Sequence, residues 1–442
     1  MNRSLLKIML AGSILSLPVA SHAQANGASL AAASTASPAD TRLLTTIKDR
    51  PAVKTAFAAL EAEHDQWVEN IIALTQIPAP PFKEALRAKA YADKFKAAGL
   101  ADVEIDAEGN VLGLLRGSGK PGGKLVVVAA HLDTVFPEGT DVTVKREGNT
   151  LHAPGIGDDV AGLATQLSLI KALAAAKITA PMDILFVGDV GEEGLGDLRG
   201  VKHLFLKGKY KDRIASFFSI DDGSVDGLTN GGVGSKRYKL TFKGPGGHSF
   251  GAFGLVNPMT AMSQAIVNIY KIPVPKSPKT TFSASVVGGG SSVNAIPRET
   301  WLQLDMRSES AAELAKLEQA VLAQVDAGVA AENAARSTKD GAISVDKQLI
   351  GDRPAGTTAA DTPLVRQTVA AYATQGVTAR FSFSSTDANV PMNLGIPGIT
   401  ISRAATGGRG HSPDEWIDVS PAESLKVKRM NLLAILAAAG YR

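Results

Sequence analysis

The stretch Lys124–Ala130 is apolar and β-branched almost throughout, and it stops abruptly at His131 with Asp133 two residues on. Such a run reads as a buried strand. Similar runs at Met182–Gly188, Ile214–Ile220 and Gly398–Ser402 alternate with helical stretches at Val160–Lys177, Thr362–Gln375 and Leu425–Ala439. In the first of these helices Leu163, Leu167, Ile170 and Leu173 share one face. In the second, Pro363 suits the first turn and Gly376 the C-terminal end. Two more helices, Glu61–Ile77 and Phe82–Leu100, flank the break Pro78-Ala79-Pro80-Pro81. Strand–helix alternation of this kind predicts an α/β fold with a mainly parallel sheet covered on both faces.

Between the Ile214 and Thr362 segments the texture changes. Arg237–Phe242 alternates, Pro258–Tyr270 is helical, Thr280–Val287 and Thr300–Arg307 read as strands, Ala311–Val325 as an amphipathic helix and Ala342–Leu349 as a last strand. The order β-α-β-β-α-β is that of the ferredoxin-like split βαβ sandwich. Residues 235–352 therefore read as a lid or dimerisation domain inserted into a catalytic domain made of 41–234 and 353–442.

Residues 1–25 resemble a secretory signal. Arg3 and Lys7 precede an apolar run too short to span a bilayer, and small-x-small cleavage candidates follow. An uncleaved anchor is the alternative. The Ala/Ser-rich stretch 26–40 reads as a flexible tether. A periplasmic or secreted location is expected. The chain contains no cysteine, so thiolate metal sites are excluded and any metal must be held by His, Asp and Glu. Removing Arg3 and Lys7 takes the formal charge from +3 to +1, which gives no electrostatic case for nucleic acid or a membrane surface as partner.

Ligands of open parallel sheets bind beyond the carboxyl ends of the strands. Here those ends carry His131 and Asp133, then Asp189 followed by Glu192-Glu193, then Asp221-Asp222, and a Gly-rich loop leading to His411. Asp158-Asp159 sits just before the helix that starts at Val160. In extended chain residues i and i+2 point the same way, so Asp133 is placed to hold the His131 ring. The set offers oxygen and imidazole donors for two divalent metal ions, Zn above all, with Co or Mn as alternatives. Side chains of adjacent glutamates diverge, so one can bind metal while the other serves as general base. Each piece also has a plainer reading: Asp158-Asp159 as a helix N-cap, Glu192-Glu193 as a solvated turn, His411 as a loop histidine. His64, His152 and His203 lie outside these motifs and read as structural or surface residues.

Taken in order, His131-Leu-Asp133, Gly157-Asp158-Asp159-Val-Ala-Gly162, Gly191-Glu192-Glu193-Gly194, Ile220-Asp221, Gly246-Gly247-His248-Ser249, Val293-Asn294-Ala-Ile-Pro297 and Gly410-His411-Ser-Pro-Asp-Glu415 resemble the M20 family of di-zinc metallopeptidases. The resemblance implies that Asp158 bridges two metals, one also held by His131 and Asp221, the other by Glu193 and His411. It implies Glu192 as general base, Asp133 as the partner of His131, and a cis bond between Asp158 and Asp159. The basic residue usual after that pair is replaced by Val160. His248 would be an oxyanion donor, often contributed across a homodimer interface, and Asn294 a donor to the substrate carbonyl. Arg353 would anchor a substrate carboxylate, a hinge salt bridge being the other reading. The activity implied is hydrolysis of short peptides by an exopeptidase. An N-acyl-amino-acid deacylase on the same scaffold is the nearest alternative, and a non-catalytic binding protein or a di-metal phosphoesterase are more distant ones.

Overall fold

The computed structural model describes residues 36–442; the expected signal, 1–25, lies outside them. So does most of the expected tether, but its last residues open a helix, α1 (Pro38–Asp49). Ser37 caps that helix by accepting from the Asp40 N–H, and Pro38 fills its first turn. Asp40 itself is buried and pairs with Arg366 at 3.0 Å. The Ala/Ser composition around it masks a sound helix start.

The helix expected over Glu61–Ile77 is α3 (His64–Thr75); a further helix, α2 (Pro51–Ala62), precedes it, the chain turning at Glu63. After α4 (Ala85–Ala97), the main sheet begins. Its centre is four parallel strands, β6 (Asp183–Asp189), β3 (Leu125–His131), β7 (Ile214–Asp222) and β17 (Gly398–Ser402), side by side. Antiparallel strands extend both flanks. On one side lie β2 (Val111–Leu115) and β1 (Ala101–Ile105), and on the other β8 (Gly227–Gly232) and β15 (Gly356–Thr357). A last strand, β16 (Arg380–Ser384), runs parallel to β8. The apolar periodicity of the central strands is what the sequence displays. Of the flanks, β8 is glycine-rich, β1 and β16 are half-exposed, and β2 is apolar but only five residues long.

Helices α1 to α5 (Val160–Ala175), α9 (Pro363–Ala373) and α11 (Pro421–Ala438) cover one face of this sheet, burying Val126, Val128 and Phe218. The other face packs Val127, Ala129 and Phe217 against α6 (Arg199–Leu206) and α10 (Asn389–Asn393). Among the described residues no helix is long and apolar enough to cross a membrane.

A small sheet carries two loops of the site. It pairs β4 (Lys145–Glu147), β5 (Thr150–His152), β19 (Trp416–Asp418) and β18 (Thr406–Gly408). Residues Gly234–Arg353 build a further sheet with its own core. Its strands β11 (Thr280–Gly289), β13 (Glu299–Ser308), β9 (Gly234–Lys243) and β14 (Ser344–Arg353) are antiparallel, and α7 (Pro258–Ile269) and α8 (Ala311–Ala335) pack on it. The element order is the one read from the sequence, and α8 runs ten residues further than its sequence signal, to Ala335. A two-residue ladder, β10 (Gly247–His248) with β12 (Ala295–Ile296), closes one end of the insert.

Candidate metal centre

The carboxyl ends of β3, β6 and β7 bring their polar residues to one spot. His131 closes β3, and its ring is buried. Its Nε2 lies 3.0 Å from Asp158 Oδ1 and 4.0 Å from Asp221 Oδ1. On the other side of Asp158, Oδ2 lies 3.2 Å from His411 Nε2, which is also 2.9 Å from Glu193 Oε1. Three groups of donors each have all their ligand atoms within 4.8 Å of one another: His131–Glu192–Glu193, and a pair that meets at Asp158, His131–Asp158–Asp221 and Asp158–Glu193–His411. Asp158 belongs to both and turns one oxygen towards each histidine.

The plainer readings fail at these positions. Asp159 occupies the N-cap of α5 but makes no side-chain cap bond; its Oδ2 accepts the His131 N–H instead. The Asp158–Asp159 peptide is cis. Glu192 and Glu193 are buried, not solvated. His411 sits with positive φ in the loop between β18 and β19, which turns its ring onto Asp158 and Glu193.

Charge crowding marks the cluster as one built for cations. Burial, reinforced by the Asp158 carboxylate, pushes Asp221 well above the usual carboxylate range. Burial works against charge on Asp158 too, yet hydrogen bonds from His131 and His411 hold it well below that range. Hydrogen bonds to Asp158 and Glu193 raise the His411 imidazole to about 10. Burial pushes Glu192 up to about 8 against the pull of Arg353. Carboxylates and imidazoles crowded together, with nothing soft among them, are the donor set of a site for divalent ions. The residues present fit two such ions.

Asp133 departs from its expected part. The His131 Nδ1 meets the backbone carbonyl of Asp133 at 3.0 Å, while the carboxylate is 3.7 Å away. The i, i+2 rule holds only in extended chain, and β3 has already ended at His131. The Asp133 carboxylate instead accepts the N–H groups of Glu192 (3.1 Å) and Glu193 (2.8 Å). It orients the turn that bears both glutamates. Arg353 also differs from a free anchor. Its fork lies on Glu192, with Nη1 3.0 Å from Oε1 and Nη2 donating to the Glu192 carbonyl.

His248 and Asn294 are not brought to the cluster. Both are exposed, His248 on the ladder at the end of the insert and Asn294 in the turn just before its second strand, where Ser249 N–H donates to the Asn294 carbonyl. The His248 Nδ1 accepts the N–H groups of Phe250 (3.2 Å) and Gly251 (3.3 Å). An accepting Nδ1 leaves the ring proton on Nε2, so the outward nitrogen is a donor.

Two residues without a sequence assignment complete the site. Glu415 is buried and accepts from the N–H groups of Gly155 (2.7 Å), Gly157 (3.0 Å) and Asp158 (2.9 Å), tying the His411 loop to the Asp158 loop. Arg403, just past β17, places Nη1 3.7 Å from Asp221 Oδ1. An arginine at the end of an apolar strand, and a glutamate four residues after a candidate ligand, were the signals available. A cavity of about 610 Å³ opens over the cluster, between the main sheet and the insert.

Comparison with known proteins gives the family and the fold. The model of peptidase family M20/M25/M40 matches residues 127–437. Carboxypeptidase G2 of Pseudomonas sp. (strain RS-16) is 26% identical over 203 residues, which is 45% of this chain. The matched segment spans about half of that relative, 47% of its length. The crystal structure of aminopeptidase PepT from Bacillus cereus superposes with a TM-score of 0.67 at 21% identity, over 85% of this chain and 99% of that one. A dinuclear metal-binding peptidase of the M20 family from Bacillus subtilis superposes with a TM-score of 0.62 at 16% identity, over 86% of this chain and 99% of that one.

Proposed function

The chain belongs to peptidase family M20/M25/M40, a family of hydrolases of peptide or amide bonds, and on that premise we propose that it is an exopeptidase of short peptides that works with two divalent cations and Glu192 as general base. The observation that carries this reading is Asp158, whose two oxygens face His131 at 3.0 Å and His411 at 3.2 Å. His131, Asp158 and Asp221 would hold one cation, and Asp158, Glu193 and His411 the other. Zinc suits this nitrogen and oxygen set, with cobalt or manganese as substitutes. Bound there, the ions would polarise the scissile carbonyl and acidify water.

The protein's own groups do the rest. Glu192 takes a proton from the attacking water on its carboxylate and delivers it to the leaving amine nitrogen. Arg353 holds the Glu192 side chain and carbonyl while Asp133 holds its N–H, so the base is fixed from both ends. The His248 Nε2–H is the donor for the tetrahedral oxyanion, a contribution of about 3–4 kcal/mol for one well-placed group. It reaches the cavity when the insert closes, which also excludes water; a second copy of the chain, joined through the insert, is the other source. With the leader expected over 1–25, the periplasm or the cell exterior is the working compartment.

The test is hydrolysis by the mature protein, residues 26–442, loaded with Zn, Co or Mn. The substrates are di- and tripeptides with free or blocked ends, beside N-acetyl and N-succinyl amino acids. Cleavage that requires a free α-amine supports an aminopeptidase. A requirement for a free carboxylate with tolerance of an acyl cap shifts the reading to a carboxypeptidase or deacylase. No turnover with two ions bound overturns it.

A further inference from the structure

Away from the metal ligands the cavity is walled by a row of hydroxyls. Thr400 on β17 stands in register with Ser219 on β7 and with Thr229 on β8, and Thr229 stands in register with Ser382 on β16. Residues in register on neighbouring strands share one face of a sheet, so these hydroxyls form one line across four strands. Thr229 Oγ1 and Ser382 Oγ are 2.7 Å apart, and Thr386 Oγ1 lies 2.7 Å from Thr400 Oγ1. Thr229, Ser382, Thr386 and Thr400 all line the cavity that holds Asp158 and Glu192.

This polarity is not explained by packing. The layer below on the same face is Val127, Ala129 and Phe217, as a covered sheet requires. Two hydroxyls that bond each other use one O–H and one lone pair, which leaves a second O–H and further lone pairs in each pair for another group. At the inner end of the row the Ser219 hydroxyl is fully buried with no hydrogen-bond partner among the described residues. At the outer end the charges cancel: Arg380 is 3.2 Å from Asp226 and 3.0 Å from the Ser224 hydroxyl, which itself donates to Asp222. The row has hydrogen-bonding capacity to spare, and the one arginine at its outer end is already paired.

We propose that this hydroxyl row is the subsite for the substrate side chain beside the scissile amide, and that it selects a neutral polar side chain, a hydroxyl or a carboxamide, over an apolar one of the same shape. The inference rests on the reading of the site as an amide hydrolase. A wall built to hydrogen-bond rejects an isostere that leaves its groups unpaired.

The test uses isosteric pairs with the metal-loaded full chain: Gly-Thr against Gly-Val, Gly-Asn against Gly-Leu, the same pairs with the order of residues reversed, and the corresponding N-acetyl amino acids. The expected result is a kcat/KM at least about 10-fold higher for the polar member at one of the two positions. In Thr229→Val, and in Ser382→Ala as a smaller change, that ratio falls towards one because the polar member loses more than the apolar member. A ratio near one or below it in the parent protein, with brisk turnover of both members, overturns the subsite and leaves the hydrolase standing. So does a ratio that survives both substitutions. Turnover of no member of any pair, in protein carrying its metals, overturns the hydrolase and the subsite together.

Discussion

Glu415 spreads two oxygens over three N–H groups of the loop that ends in Asp158. The Glu415→Gln variant keeps the shape but offers one acceptor oxygen and turns an NH₂ towards backbone donors. Loss of such an outer contact typically costs 10–100-fold in metal affinity or activity, and calorimetric titration with Zn should show a loss of about that size. Unchanged affinity for both ions would show that the clamp is dispensable. Lys428 presents a different single-residue problem. It is fully buried on α11, and its Nζ has no hydrogen-bond partner among the described residues and lies 4.1 Å from the centre of the Trp67 ring. Burial drives its pKa from 10.5 down to about 7, with Glu63 pulling weakly the other way. Between those values the unfolded chain binds a proton the folded chain lacks, so stability rises with pH across that window. Lys428→Met should flatten that rise and raise the Tm at neutral pH. Melts from pH 6 to 10 that keep the parent slope would place the titration elsewhere.

At the scale of elements, the site depends on close approach of α5 to β7. A side chain at Gly162 would put its first carbon 2.1 Å from the Ile220 carbonyl oxygen and 2.3 Å from Asp159 Oδ1. Gly162→Ala should therefore cost at least about 2–3 kcal/mol, in the range of overpacked cores, measurable as a lower denaturation midpoint; an unchanged midpoint would mean the helix can shift freely. The central elements were legible in the sequence because strands buried on both faces must be apolar throughout, and a His or Asp at their ends then stands out. Gly398–Ser402 is the plainest case, found with the bounds read for it. The flanking β1 and β8 were not legible, since half-exposed residues in the one and glycine in the other leave no periodic signal, and β2 is a five-residue apolar run too short to stand out. The ligands His131, Asp158, Glu193, Asp221 and His411 were legible as residue types at strand ends and helix starts. The duties of Asp133, Arg353, Glu415 and Arg403 were not. Each acts across 59 or more residues of sequence through a backbone group or a neighbouring charge, and local spacing does not encode such contacts.

At the scale of the whole molecule, the ladder that carries His248 and Asn294 belongs to the insert, whereas the metal centre belongs to the main sheet. The two bodies touch where Arg237 donates to the Gly194 carbonyl, beside Glu193, and where Arg353 reaches Glu192. On the proposed reading His248 would be delivered to the centre by closure or by a second copy. His248→Ala should bind substrate with near-normal affinity and lose about 10²–10³-fold in kcat; parent kinetics would leave His248 as a capping residue of its turn. The central claim is that two cations are held across Asp158 and that Glu192 moves the proton. Its most direct test is metal content and turnover measured on one sample of Glu192→Gln. The account predicts two equivalents of metal per chain with kcat reduced at least about 100-fold, and two equivalents with parent turnover would contradict it.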